Sequence, residues 1–351
     1  MFKYLLLFLS FTGFIYSECR CRCCVSCRTD YVKELLKKLN IDLEKYDGNK
    51  YLAIYENYDK FLSIIKKLSG SQKWRMVIDG KDHSKGKYVY EKKNGDYEEG
   101  EPGYLEAMID AWDYMISTLD QEIKISKNKS DDKNDIFLIL HQKTTNNVRN
   151  MLKESDYYRD KDYNVYFGLG YSSKSGIADK LSEYSNKLKS KGFDSERLSN
   201  WYVDVNKNRV ECCDYSKIEE TEDYKRSGYS SGSRYLASKI FKDYYEKLKE
   251  LREKGYISES FIDRRASYED KVLEIIVRTT CLLLWSHIFP DGNGRTIMYL
   301  LLNKFLIENK LLPVIFFESA HEVVIRDVHF GIREIKDGQN NFCRMILKGK
   351  I

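Results

Sequence analysis

With 351 residues and 42% apolar content, the chain can bury one large core or two smaller ones. Its 59 Lys and Arg are nearly balanced by 54 Asp and Glu, giving a net charge of +5, and the two signs are interleaved. That pattern excludes a basic stripe of the kind that binds nucleic acid, and with only 3 prolines and abundant Lys, Leu and Glu the chain is biased towards helices.

Residues 1–17 open with one Lys, then an apolar run, then the small Ser17. This is the pattern of a signal peptide, and the run is short for a bilayer span. The chain is therefore expected to be secreted or lumenal, with a membrane anchor as the alternative. Residues 18–28 follow with Cys19, Cys21, Cys23, Cys24 and Cys27. In an oxidising compartment these would form disulfides, and linkage between chains or a homo-oligomer is compatible with them. The total of 9 cysteines is odd, so at least one thiol is left over or pairs with another molecule.

Residues 29–125 read as a helical region with a hairpin. Leu35, Leu36, Leu39, Phe61, Ile64, Ile65 and Leu68 recur at helical spacing. Trp74–Asp79 and Lys87–Lys93 read as two short strands about a Gly-rich turn. Pro102-Gly103 ends the hairpin, and Tyr104–Ile125 reads as an amphipathic helix. Ser126–Asp135, a run of Lys, Asn, Asp and Ser, is the best linker in the chain.

Residues 136–351 form the last unit. Ile136–Leu152 is a predicted helix, and His141 on it is read as structural. Tyr163–Gly170 alternates enough to be extended. Trp201–Asp204 and Arg209–Tyr215 flank Asn206-Lys207-Asn208 as a hairpin. Tyr235–Lys254 and Ser267–His287 are predicted helices. Cys281, in the second of these, is expected in the core. Val314–Phe317 follows Pro313, and His321 and His329 receive no catalytic role.

Between two apolar stretches lies His287-Ile-Phe-Pro-Asp-Gly-Asn-Gly-Arg-Thr-Ile-Met298. A histidine can take a proton from a hydroxyl. Asp291 is a hard ligand for a cation. Gly292 and Gly294 permit positive φ, so that Gly292-Asn293-Gly294 can turn its N–H groups towards an anion. The following helix adds its positive end, and Arg295 a permanent charge.

These residues resemble the signature of the Fic (Fido) family, His-x-Phe-x-[Asp/Glu]-Gly-Asn-Gly-Arg-x-x-Arg. The chain meets every fixed position except the last, where Met298 stands. The resemblance implies a mainly α fold: a Fic-type helical core with a small β-hairpin flap, here preceded by the N-terminal helical and hairpin region. It implies transfer of AMP from ATP to a Ser, Thr or Tyr hydroxyl of a target protein. His287 would be the general base. Asp291 would hold Mg²⁺ or Mn²⁺. Gly292, Asn293, Gly294 and Arg295 would bind the nucleotide phosphates, and Phe289 would point into the core.

In the family the flap pairs with the target backbone, a role that falls here to Tyr163–Gly170. The family's second Arg commonly engages the γ-phosphate, which Met298 cannot do. UMP or phosphocholine transfer is therefore an alternative, as is a non-catalytic Fic scaffold that binds a protein partner. The family's inhibitory Ser/Thr-x-x-x-Glu-Gly/Asn has no match, since Thr118–Glu122 is followed by Ile123 and Ser216–Glu220 by Thr221.

Overall fold

The computed structural model describes residues 29–85, 102–148, 157–159, 166–168, 202–204, 209–211, 218–257, 260, 262–318, 320 and 328–351. The signal-peptide reading of 1–17 and the cysteine cluster lie outside them. Among the described residues no helix is long and apolar enough to cross a membrane.

The fold is mainly helical, as the sequence implies. Helices α1 (Tyr31–Lys38), α2 (Lys50–Glu56) and α3 (Tyr58–Lys66) take the expected apolar spacing. Asp30 and Asn49 cap the first two by accepting backbone N–H groups. Leu35, Leu36, Phe61 and Ile65 are buried in one cluster.

The hairpin expected over Trp74–Asp79 is not there. Gly70–Met76 is helix α4 instead. Its start signal is Ser69-x-x-Gln72, with the Gln72 side chain accepting the Ser69 backbone N–H at 3.0 Å. Gly80 and Lys81, which begin a 3₁₀ turn, donate to the carbonyls of Phe316 and Phe317. The partner strand expected over Lys87–Lys93 lies outside the described residues.

Helix α5 (Tyr104–Ser117) stops earlier than expected and packs along α6 (Ile136–Thr145). The polar connection between them is pinned. Asp135 is buried and accepts from the backbone of Ser126 and Leu138 and from the Tyr158 hydroxyl. Burial raises its pKa. Asp132 pairs with the buried Arg234 through two bonds, 2.6 and 3.0 Å. Lys127, Lys129, Asp131 and Lys133 of this connection are exposed, while Asp132 and Asp135 tie its end to the core.

The two extended regions join into one sheet. Strands β1 (Tyr166–Gly168), β2 (Tyr202–Asp204) and β3 (Arg209–Glu211) lie in the order β1-β3-β2. Phe167 pairs with Val210, and Val203 with the same Val210 from the other side, both antiparallel. Among the described residues the strand expected as the flap thus lies at an edge of the sheet formed with the second hairpin.

A short helix, α7 (Glu222–Ser227), leads to α8 (Gly232–Lys254), which packs on α9 (Tyr268–Trp285). A π-helical segment (Arg295–Leu301) runs directly into α10 (Leu302–Glu308), and α11 (Val328–Lys348) closes against α1 and α9. Cys281 is buried, as expected.

Removing one partner of a buried pair leaves the other charge uncompensated. Arg234→Ala is therefore expected to destabilise the fold by on the order of 3 kcal/mol. Urea unfolding would measure it; a loss below about 0.5 kcal/mol would mean that the Asp132 pair is not structural.

Candidate functional site

Helix α9 is apolar for most of its length and ends at Trp285. Ser286 and His287 still bond back, to the carbonyls of Leu282 and Leu284. His287 then leaves the helix with φ +47°, in the left-handed region. A non-glycine residue there carries about 1 kcal/mol of strain, which clusters at functional sites. The position favours Gly or Asn on backbone grounds, so a histidine here is a choice of side chain over conformation.

The loop is fastened by its own side chains. Phe289 is fully buried, and its ring stacks face to face on His141, centroids 3.7 Å apart. Phe137 and Tyr158 close the other sides at 4.9 and 5.1 Å. Asn293 turns inward. Its Oδ1 accepts the Phe289 N–H at 3.0 Å and its Nδ2 donates to the Phe289 carbonyl at 2.6 Å. Two buried backbone groups are thereby satisfied by one side chain. His141 Nδ1 lies 3.0 Å from the Thr296 hydroxyl, which also donates to the Gly292 carbonyl.

His287 is strongly desolvated, and its imidazole is held at about 3, below the ordinary 6.5. Burial is the main cause, the positive charge of Arg159 the next, and a bond to the Phe289 backbone opposes both. Nδ1 also lies 3.2 Å from Asn293 Nδ2. Donation of a ring N–H to the Phe289 backbone leaves the other nitrogen of the neutral imidazole without a proton and able to act as base.

Gly292 has φ +72°, as the turn requires, but Gly294 has φ −58° and is already helical. The positive φ that both glycines permit is used at 292 and not at 294, where the chain has begun the next helix. Asp291 is half-buried, and its Oδ1 accepts the Gly292 N–H at 2.7 Å. Arg295 is 8% exposed and lies 5.0 Å over the ring of Tyr104, a cation–π contact that orients the guanidinium. Met298 is fully buried in the core with Leu301 and Leu302.

The structure therefore brings His287, Asp291, Gly292, Asn293, Gly294 and Arg295 into one turn fastened on the core. His321 lies outside the described residues, and His329 is exposed. Sequence reasoning missed Arg159, Tyr104 and Thr296. It also left His141 without a specific task. A cleft of about 500 Å³ lined by Glu122, Tyr245, Arg252 and Glu308 shares no residue with this turn.

No family model matches the chain. A protein of Legionella pneumophila named phosphocholine transferase AnkX is 26% identical over 285 residues. The match covers 75% of this chain but 28% of that protein. This chain thus spans well under two thirds of its relative, and the similarity is a distant one.

His287→Asn keeps a residue that tolerates the left-handed backbone. The variant is expected to fold with a Tm close to wild type at neutral pH. Its stability difference from wild type should also depend on pH. Below 6.5 the unfolded chain takes up a proton at His287 that the folded chain refuses until about pH 3. Stability drawn from the neutral ring is complete above 6.5 and declines as pH falls, so wild type should lose ground to His287→Asn between pH 6.5 and 5. Parallel curves in urea titrations at several pH values would contradict the burial argument.

The core position of Met298 decides another substitution. Met298→Arg buries a charge and is expected to destabilise by on the order of 3 kcal/mol, while Met298→Leu costs less than about 1.5 kcal/mol. Differential scanning calorimetry of the two variants would test this.

Proposed function

We propose that the chain transfers a phosphate-linked group from a nucleotide donor to a hydroxyl of a target protein, and that the group is phosphocholine. The observation that carries the reading is a neutral histidine fastened by Asn293 to a Gly292–Arg295 turn. That arrangement pairs a proton acceptor with an anion-binding turn, the two things phosphoryl-group transfer to a hydroxyl needs.

In the reaction the acceptor oxygen forms its bond to phosphorus as the bond to the leaving nucleotide breaks. The hydroxyl proton passes to the free ring nitrogen of His287. Gly294 offers its backbone N–H to the phosphate oxygens and Arg295 its charge, while Gly292, whose N–H is held by Asp291, supplies the turn. Phe289, His141 and Asn293 hold the turn in place. The target chain would lie along β1 as an added strand, since β1 is an edge of the sheet. Secretion through residues 1–17 belongs to the same proposal.

Asp291 suits Mg²⁺ or Mn²⁺. Among the described residues no cluster of three or more His, Cys, Asp or Glu could hold a metal alone. A single carboxylate is what Mg²⁺ commonly takes from a protein when phosphates supply other ligands. Bound there, the ion would offset phosphate charge that Asp291 alone would repel.

Two observations favour phosphocholine over AMP. Met298 is sealed in the core and gives no cation to a γ-phosphate. The distant relative is named for phosphocholine transfer, an activity known within the family that the motif resembles. AMP transfer from ATP is the second reading, supported by the otherwise complete motif.

The test is incubation with labelled CDP-choline, ATP or UTP, with Mg²⁺ and a lysate as source of targets. Label from CDP-choline that enters protein, and that is lost in Asp291→Ala or in excess chelator, is the expected result. Label from ATP alone would replace phosphocholine by AMP. Absence of label from all three donors would favour the non-catalytic binding scaffold.

A further inference from the structure

Glycine at 292 has no Cβ to limit its backbone, so sterics do not fix the peptide plane that follows it. The direction of that plane matters. No described peptide bond is cis, so the Gly292 carbonyl and the Asn293 N–H point opposite ways. A carbonyl held inward turns the N–H outward. A plane turned the other way would aim the carbonyl oxygen at an arriving phosphate.

The Gly292 carbonyl is held inward twice. It accepts the Thr296 N–H at 3.1 Å and the Thr296 hydroxyl at 3.0 Å. Among the described residues, the N–H groups of Asn293 and Gly294 meet no acceptor.

A threonine that bonds back four residues is ordinary in a helix, and Thr279 and Thr280 in α9 do so to Ile275 and Ile276. Thr296 differs in being reached from another element. His141 Nδ1, on α6, lies 3.0 Å from its hydroxyl oxygen, and so does Thr144 Oγ1. All three side chains are fully buried. A carbonyl only accepts, and a hydroxyl has one proton to give. With that proton on the bond to Gly292, the His141 nitrogen is the donor to Thr296. Two further contacts hold His141 itself. Its ring lies parallel to that of Phe289, and its carbonyl accepts from the Thr144 hydroxyl at 2.7 Å.

We propose that Thr296 is a positioning residue: its hydroxyl, oriented by His141, keeps the Gly292 carbonyl inward and so presents the Asn293 N–H to a donor phosphate. This role rests on the turn binding phosphate as proposed above. His141 then acts on the anion site without touching it, through a single hydroxyl.

Pyrophosphate binding tests the brace without turnover. The probe is inorganic pyrophosphate with Mg²⁺, followed by calorimetry and by the amide signals of ¹⁵N-labelled protein. In wild type the Asn293 amide proton is expected to move downfield as pyrophosphate binds. Thr296→Val keeps the branched shape and removes the hydroxyl. It should weaken binding about tenfold and abolish the Asn293 shift. Thr296→Ser keeps the hydroxyl and removes a methyl group. It should bind as wild type does, although it is less stable. A role in packing alone would give the opposite order.

Thr296→Val leaves the His141 N–H without its acceptor, which costs stability. His141→Phe combined with Thr296→Val removes both polar partners and keeps a ring on Phe289. That double variant is expected to fold and to share the loss of binding. Wild-type affinity in the folded Thr296→Val protein or in the double variant would overturn the proposal. So would an equal loss in Thr296→Ser, or an Asn293 amide in wild type that ignores pyrophosphate. Any of these results alongside label from a nucleotide donor removes the brace and leaves the transfer reading standing. Binding in the expected order, with no donor yielding label, keeps the brace and removes transfer.

Discussion

A loop between two core helices cannot be buried unless its backbone polar groups find partners. Here one side chain meets that constraint. Asn293 bonds both the N–H and the carbonyl of Phe289, and the Phe289 ring is clamped among His141, Phe137 and Tyr158. With Phe289 locked, the residues on either side have little freedom. His287 is forced into the left-handed region as α9 ends, and Gly292 takes the positive φ that brings the chain back to start the next helix. The chemistry of the turn is thus a consequence of how its apolar residue is anchored.

The N-terminal helices complete that anchor from behind. Tyr104 presents its ring to Arg295, and its hydroxyl donates to the Val77 carbonyl. Tyr299, one turn on, donates to Asp79 at 2.7 Å. Leu300, Ile307 and Phe342 share one buried cluster with Leu35, Phe61 and Trp112. The segment after Gly294 is also π-helical, a wider turn than an α-helix and one common at functional sites. It sits where both flanks are packed, so the geometry is held by neighbours and not by local preference. The region before residue 126 therefore helps to set where Arg295 points.

Much of this was legible in the chain. Periodic apolar residues marked α1, α3, α8 and α9, because helix burial writes a 3.6-residue repeat into sequence. The motif announced the turn, since His, Asp, Gly and Arg in one register have few other uses. The failures have separate causes. Trp74–Asp79 carries β-formers, but the Ser69–Gln72 cap decided for a helix. Within Ser126–Asp135 the bonds of Asp132 to Arg234 and of Asp135 to Tyr158 span distances that no local pattern records. Arg159 and Tyr104 were invisible for the same reason: each acts across the fold on a residue far along the chain.

Arg295 brings a permanent positive charge to the turn and Asp291 a carboxylate, while Met298 contributes neither. An arginine at 298 would add a second cation if it faced the turn. The fold instead turns residue 298 into the core beside Leu301 and Leu302, so the apolar side chain is demanded by packing. The same packing that fastens the π-helical segment thereby keeps residue 298 away from the turn, and the charge of Arg295 is not doubled there.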